Sequence, residues 1–175
     1  VARIALVALA LLAATPPPPK EAVGREYRFA LPKGVTADTQ NDKITDFYTF
    51  RWGKPPTSVM CTIHLSAIKY TPKAFKTTVG VARENREELA RRARKTADVK
   101  LTETEVTLGP FKGTQFQLVT RYTTGRIRWS CSFLLNDGKH IWQGRLSPHT
   151  GEDIRKAHAI LKTATRIAST PAKSP

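Results

Sequence analysis

The chain has 175 residues, 40% of them hydrophobic and 8% aromatic, enough for one globular domain that buries a real core. With 29 Lys+Arg against 14 Asp+Glu, the formal net charge of +15 excludes a neutral or acidic surface and favours polyanionic partners. The basic residues are spread along the whole chain, with one local run at Arg91, Arg92, Arg94 and Lys95, which weakens the case for nucleic acid as the partner.

At the start, Arg3 precedes an apolar run that ends in small residues at Ala14. This is the layout of a secretory signal peptide over 1–14, too short to span a bilayer comfortably. The expectation is an exported, periplasmic or secreted protein. Residues 15–24 open on a proline run and read as a disordered lead-in. Residues 25–168 read as a single domain, and 169–175 as a frayed tail.

Tyr27, Phe29 and Leu31 alternate along a first strand, which stops at Pro32. The polar stretch 35–46 reads as a loop, and 47–52 as a second strand. In 58–67, Val59, Cys61, Ile63 and Leu65 fall on one face of a third. Thr71 is a fitting N-cap before Pro72, and Phe75, Val79, Ala82, Leu89 and Ala93 recur at helical spacing to about Lys95. Glu87 with Arg91, and Glu88 with Arg92, stand four apart on that helix.

The stretch 99–108 reads as a strand whose phase slips, Val99 and Leu101 sharing one parity and Val106 and Leu108 the other. A bulge within 102–105 would reconcile them. Residues 113–146 then form an antiparallel meander. Phe116, Leu118 and Tyr122 alternate against Gln115, Gln117 and Arg121, and Ile127, Trp129, Cys131, Phe133 and Leu135 share a face. Asp137-Gly138 is a hairpin turn before Trp142 and Leu146. Thr150, with Asp153 three residues on, opens a final helix carrying Ile154, Ala157, Ile160, Leu161 and Ala164. The residues thus predict an α+β protein: a meander of about six to seven antiparallel strands with two main helices.

Chemistry is harder to find. His64, His140, His149 and His158 lack metal-ligand spacing, and no nucleophile elbow or phosphate-cradling glycine loop occurs. No pattern buries a carboxyl for acid–base work, so no catalytic residue, metal or cofactor is expected. Cys61 and Cys131 sit on apolar strand faces and could form a disulfide if those faces meet. Arg121, Arg126, Arg128 and Arg145 on the meander, with Arg91 and Arg92 at the helix end, are the candidate anion- and partner-binding residues, chosen on net charge and strand phase.

Tyr27-Arg-Phe-Ala-Leu-Pro-x-Gly34, Gly113-Thr-Gln-Phe-Gln-Leu118, Asn136-Asp-Gly-Lys-His-Ile-Trp142 and Ala157-x-Ala-Ile-Leu-x-Thr-Ala164 resemble segments of PsbP-like domains and the related DcrB-like envelope proteins. The resemblance covers about 25–167 and rests on strand and turn punctuation, with no diagnostic site residues. It implies an α/β/α sandwich and a mostly non-enzymatic family of accessory proteins; no metal-binding residue carries over. The reading is a monomeric, exported binding or accessory module of the bacterial envelope. Its partner would be an acidic protein or an anionic envelope polymer, and its charge suits peripheral contact with a membrane. The alternative is a small apolar ligand or lipid held between the sheet and the C-terminal helix.

Overall fold

The structure, a computed structural model, describes residues 20–41, 46–54 and 58–168. The signal-peptide reading of 1–14, the start of the lead-in and the tail 169–175 lie outside the described residues. Among the described residues, ten strands and two helices follow in the order β1 (Glu21–Val23), β2 (Tyr27–Ala30), β3 (Val35–Asn41), β4 (Asp46–Trp52), β5 (Val59–Lys69), α1 (Pro72–Ala93), β6 (Ala97–Leu108), β7 (Phe111–Tyr122), β8 (Ile127–Asn136), β9 (His140–Leu146), α2 (Gly151–Lys162) and β10 (Thr165–Arg166).

Seven strands make one antiparallel sheet in the order β3-β4-β5-β9-β8-β7-β6, and β1-β2-β10 make a small second sheet. Two meanders, β3–β5 and β6–β9, join where β5 pairs with β9. The connection between them is α1, which lies over β6, β7 and β8. The layers follow from strand alternation. Phe116 packs with Val79 of α1, while its neighbour Gln115 meets His158 of α2, so the helices cover opposite faces. The expected fold class holds, with an α/β/α layering to which the small sheet adds on the α2 side.

That side is the principal core. Tyr27, Phe29, Tyr48, Phe50, Phe111 and Trp142 are all within 1% of complete burial. Their rings meet at 4.8 Å (Phe29–Tyr48), 4.9 Å (Tyr27–Phe111), 5.2 Å (Phe29–Phe50) and 5.7 Å (Phe111–Trp142). Tilted and edge-on pairs of this kind each add about 0.5–1.5 kcal/mol to simple burial. Ile154, Ala157, Ile160 and Leu161 of α2 close this core. The side chain of Asp153 reaches back to the Thr150 N–H (3.0 Å) and also accepts from Trp52 Nε1 (3.0 Å), which pins the helix start to β4.

Five readings are corrected. The lead-in reaches only to Lys20, because Ala22 is buried and Glu21–Val23 pair with β2. The stretch 35–41 is an edge strand: Val35 is buried, and its polar residues face solvent from a strand paired on one side only. β6 has no bulge and pairs with β7 without interruption from Ala97 to Leu108. Its phase slips because Val99 and Leu101 face α1 while Val106 and Leu108 face the aromatic core, so both parities are buried at different ends. Gln115 is not on a wet face; it is buried against His158.

Cys61 and Cys131, finally, are free, buried thiols. Both stand opposite Leu146, one on each side of β9. Two strand spacings of about 4.8 Å separate them, beyond the roughly 7 Å limit for a bridge. Burial, with a smaller contribution from Cys131, pushes the Cys61 thiol up to about 12; burial likewise raises Cys131 to about 12.

Candidate functional site

α1 covers only the β6–β8 half of its face of the sheet. Where the C-terminal half of α1 lifts over the ends of β7, β8 and β9, a cleft of about 880 Å³ opens. Arg86 enters from α1, Arg126 from the turn just before β8, Arg128 from the start of β8, and Arg145 from the end of β9. Leu89 and Leu118 supply apolar surface on this face, with Ser130 and Ser147 among the polar lining, while Trp129, next along β8, turns to the aromatic core. Among the described residues, no carboxylate lines the cleft.

The cause of this gathering is local. Arg128 pairs with Thr120 and so points to the α1 face of β8, and Arg145, opposite Ser132, points to the same face of β9. Arg86 occupies the helical position between Ala82 and Leu89, inside the apolar stripe of α1, so it is carried toward the sheet and half-buried. Burial lowers its pKa, and the like charge of Arg145 lowers it further.

Several other arginines are neutralised. Arg83 is bound bidentately by Glu103 (2.7 and 2.6 Å), and Glu88 takes both Arg91 and Arg92 at 2.6 Å. Arg51 pairs with Asp38, Arg121 lies 3.5 Å from Asp98, and Arg166 is 2.7 Å from Asp137. Among the described residues, Arg86, Arg126, Arg128 and Arg145 have no carboxylate partner, a condition they share with Arg28, Arg94 and Arg155, which do not line the cleft.

Of the residues selected from sequence, the structure therefore brings Arg126, Arg128 and Arg145 together. It leaves Arg121, Arg91 and Arg92 outside the cleft, on acidic partners. Arg86 was missed. Its signal was present in the sequence as the one cation in a helical stripe otherwise made of Phe75, Val79, Ala82, Leu89 and Ala93.

A second polar constellation has a different character. The carboxylate of Asp137 is fully buried and accepts from Tyr27 Oη (2.9 Å), Trp142 Nε1 (3.1 Å), Arg166 Nη2 (2.7 Å) and the backbone N–H groups of Lys139 (2.9 Å) and His140 (2.8 Å). Burial alone would raise its pKa; these donors outweigh burial and hold it well below the usual carboxylate range. Every lone pair of Asp137 is engaged, so the group ties the β8–β9 turn to β2 and β10 and has nothing left for a ligand. The structural tie also explains the Asp-Gly turn: Gly138 has φ +84°.

Among the described residues, no group of three His, Cys, Asp or Glu is placed to hold a metal ion, and no helix is long and apolar enough to cross a membrane. The chain matches no protein-family model, and no curated protein matches it.

Proposed function

We infer that the protein is a binding module, without catalysis of its own, that receives the anionic group of an acidic protein or anionic polymer in the arginine cleft between α1 and the sheet. The observation that carries this reading is the convergence on one cleft of four guanidiniums without carboxylates, beside Arg83, Arg91, Arg92 and Arg121, which are each held by an acid. Leaving like charges together costs free energy that an oxyanion recovers by accepting charge-assisted, bidentate hydrogen bonds. A net charge of +15 would speed encounter with such a partner.

An exported accessory role in the envelope, in the manner of the PsbP-like and DcrB-like proteins the sequence resembles, is the setting we propose for that binding. It is supported by the leader-like start and by a layering that matches what the resemblance implies. The alternative, an apolar ligand between the sheet and α2, is disfavoured because that space is filled by interlocking rings and by Ile154, Ala157, Ile160 and Leu161.

The test is a titration with poly-glutamate at low and moderate salt, comparing the natural protein with an Arg86→Ser/Arg128→Ser/Arg145→Ser variant. The cleft variant should lose at least about tenfold in affinity, while Arg91→Ser/Arg92→Ser changes little. Equal binding by the natural protein and the cleft variant would defeat the reading.

A further inference from the structure

The cationic side chains of the cleft are arranged about one point of its floor. On β8 the residues that face α1 are Arg128, opposite Thr120, then Ser130, opposite Leu118, then Ser132, opposite Phe116. Ser132 also stands opposite Arg145 on β9. Ser130 therefore lies midway between the two arginines. Its Cα is about 7 Å from that of Arg128 along the strand and about 8 Å from that of Arg145 across the sheet. An extended arginine side chain covers such a distance, so both guanidiniums can reach the space above Ser130. Arg86 closes the same cleft from α1, half-buried and near enough to Arg145 to feel its charge. Among the described residues, none of these four side chains makes a hydrogen bond within the protein.

Convergence from three walls selects the shape of the anion. The protein's own carboxylates show how few guanidiniums a carboxylate needs. Arg83 alone takes both oxygens of Glu103, and Arg91 with Arg92 takes both oxygens of Glu88. A planar, singly charged carboxylate among Arg86, Arg128 and Arg145 would leave donors and positive charge uncompensated. A phosphate diester likewise offers only two terminal oxygens and one charge. A phosphate monoester presents three terminal oxygens on a tetrahedron and a charge of about −1.5 to −2 at neutral pH. Each of those oxygens can accept from one guanidinium by a charge-assisted bond, with the Ser130 hydroxyl beneath them. The ester oxygen is then left to carry the rest of the ligand out of the cleft.

Resting on the anion-binding reading above, we propose that this cleft is a phosphate-monoester site, with the phosphoryl group seated over Ser130 among Arg86, Arg128 and Arg145. Arg126, in the turn before β8, adds a further positive charge at the Arg128 end. The group that the partner presents is thus a terminal phosphate. A run of carboxylates, or the diester backbone of a polymer, fits the three-sided seat less well.

The experiment is a calorimetric titration with methyl phosphate, dimethyl phosphate and malonate, the last carrying comparable charge on two carboxylates. Methyl phosphate should bind at least about tenfold more tightly than either of the others. Arg128→Ser/Arg145→Ser should weaken it at least about tenfold. Arg86→Lys keeps the charge and loses the planar fork, and should also weaken methyl phosphate several-fold. Ser130→Ala should weaken it by about threefold while leaving malonate binding unchanged.

Near-UV circular dichroism and melting curves establish that each variant is folded. If malonate or dimethyl phosphate binds as tightly as methyl phosphate, and the arginine variant loses all of them, the monoester assignment is overturned and the anion site stands. Methyl phosphate binding indifferent to the arginine changes would overturn both readings.

Discussion

Arg86 on α1 lies close enough to Arg145 on β9 for the second charge to lower the basicity of the first, adding to the larger effect of burial. The pair is held by the fold against its own repulsion. Replacing Arg86 with Met keeps the apolar stem and removes the like charge. The free protein should become more stable by about 1 kcal/mol at low salt, while phosphate no longer raises its melting temperature. Thermal melts of both proteins, with and without phosphate, measure the two effects together.

His64 and His158 make folding sensitive to mild acid. His64 is stacked on Phe47 at 5.7 Å, with Nδ1 buried and unbonded, and burial lowers its pKa. His158, bonded to Gln115, is lowered by burial and then by Lys162. Both are more easily protonated in the unfolded chain than in the folded one. Their stabilising contribution is therefore complete above the ordinary histidine value of about 6.5 and drains away as pH falls through the lower folded values. Urea midpoints should fall between about pH 7 and pH 5, and His158→Gln should reduce that slope.

Asp137 acts further down the pH scale. Its folded pKa lies below that of an unfolded aspartate, so its stabilisation is full above about pH 4 and is lost as acid protonates the folded carboxylate. Asp137→Asn removes the charge facing Arg166 and should cost about 3 kcal/mol at pH 7. The cost should shrink at low pH. Denaturation of both proteins at pH 7 and at about pH 3 makes the comparison.

Gly113 marks a place where two strands cannot tolerate a side chain. A Cβ there would stand 2.0 Å from the carbonyl oxygen of Leu134 on β8 and 2.9 Å from the Cα of Leu135, both backbone atoms. Gly113→Ala should destabilise the protein by at least about 2 kcal/mol in chemical denaturation. Gly80→Ala, where a Cβ meets nothing within 4 Å, should instead stabilise the middle of α1 by up to about 1 kcal/mol.

The two thiols should behave as core residues. With Cys61 and Cys131 each raised to about 12 and Leu146 between them, neither should be alkylated in the native state. Intact mass after iodoacetamide treatment should show two additions only when denaturant is present, and melting should be indifferent to reductant.

The elements that could be read from the sequence were those where local signals agreed. Alternation in β8 with the Asp137-Gly138 turn, and Thr150 with Asp153 before α2, specify their own structure within a few residues. The failures were non-local. β3 has only Val35 and Ala37 as apolar residues facing inward, so a polar edge strand looked like a loop until β4 is beside it. The parity change in β6 looked like a bulge because one strand serves two cores. The cysteines looked pairable because strand phase says nothing about strand order. At the cleft, charge and phase picked Arg126, Arg128 and Arg145, while Arg121, Arg91 and Arg92 were indistinguishable from them before Asp98 and Glu88 were placed.

The two faces of the sheet draw on the chain differently. The aromatic core needs Tyr27 and Phe29 near one end and Ile160 and Leu161 near the other, with Tyr48, Phe50 and Phe111 between. The cleft is lined only by residues from 86 to 149. What keeps the molecule folded is therefore distributed, and what it recognises is written in one continuous passage whose alternate residues face away from the rings. Changing Arg128, Ser130 or Arg145 leaves their core-facing neighbours Trp129, Cys131 and Leu146 in place. A chain arranged in this way can exchange one ligand for another through a few substitutions, with its architecture undisturbed.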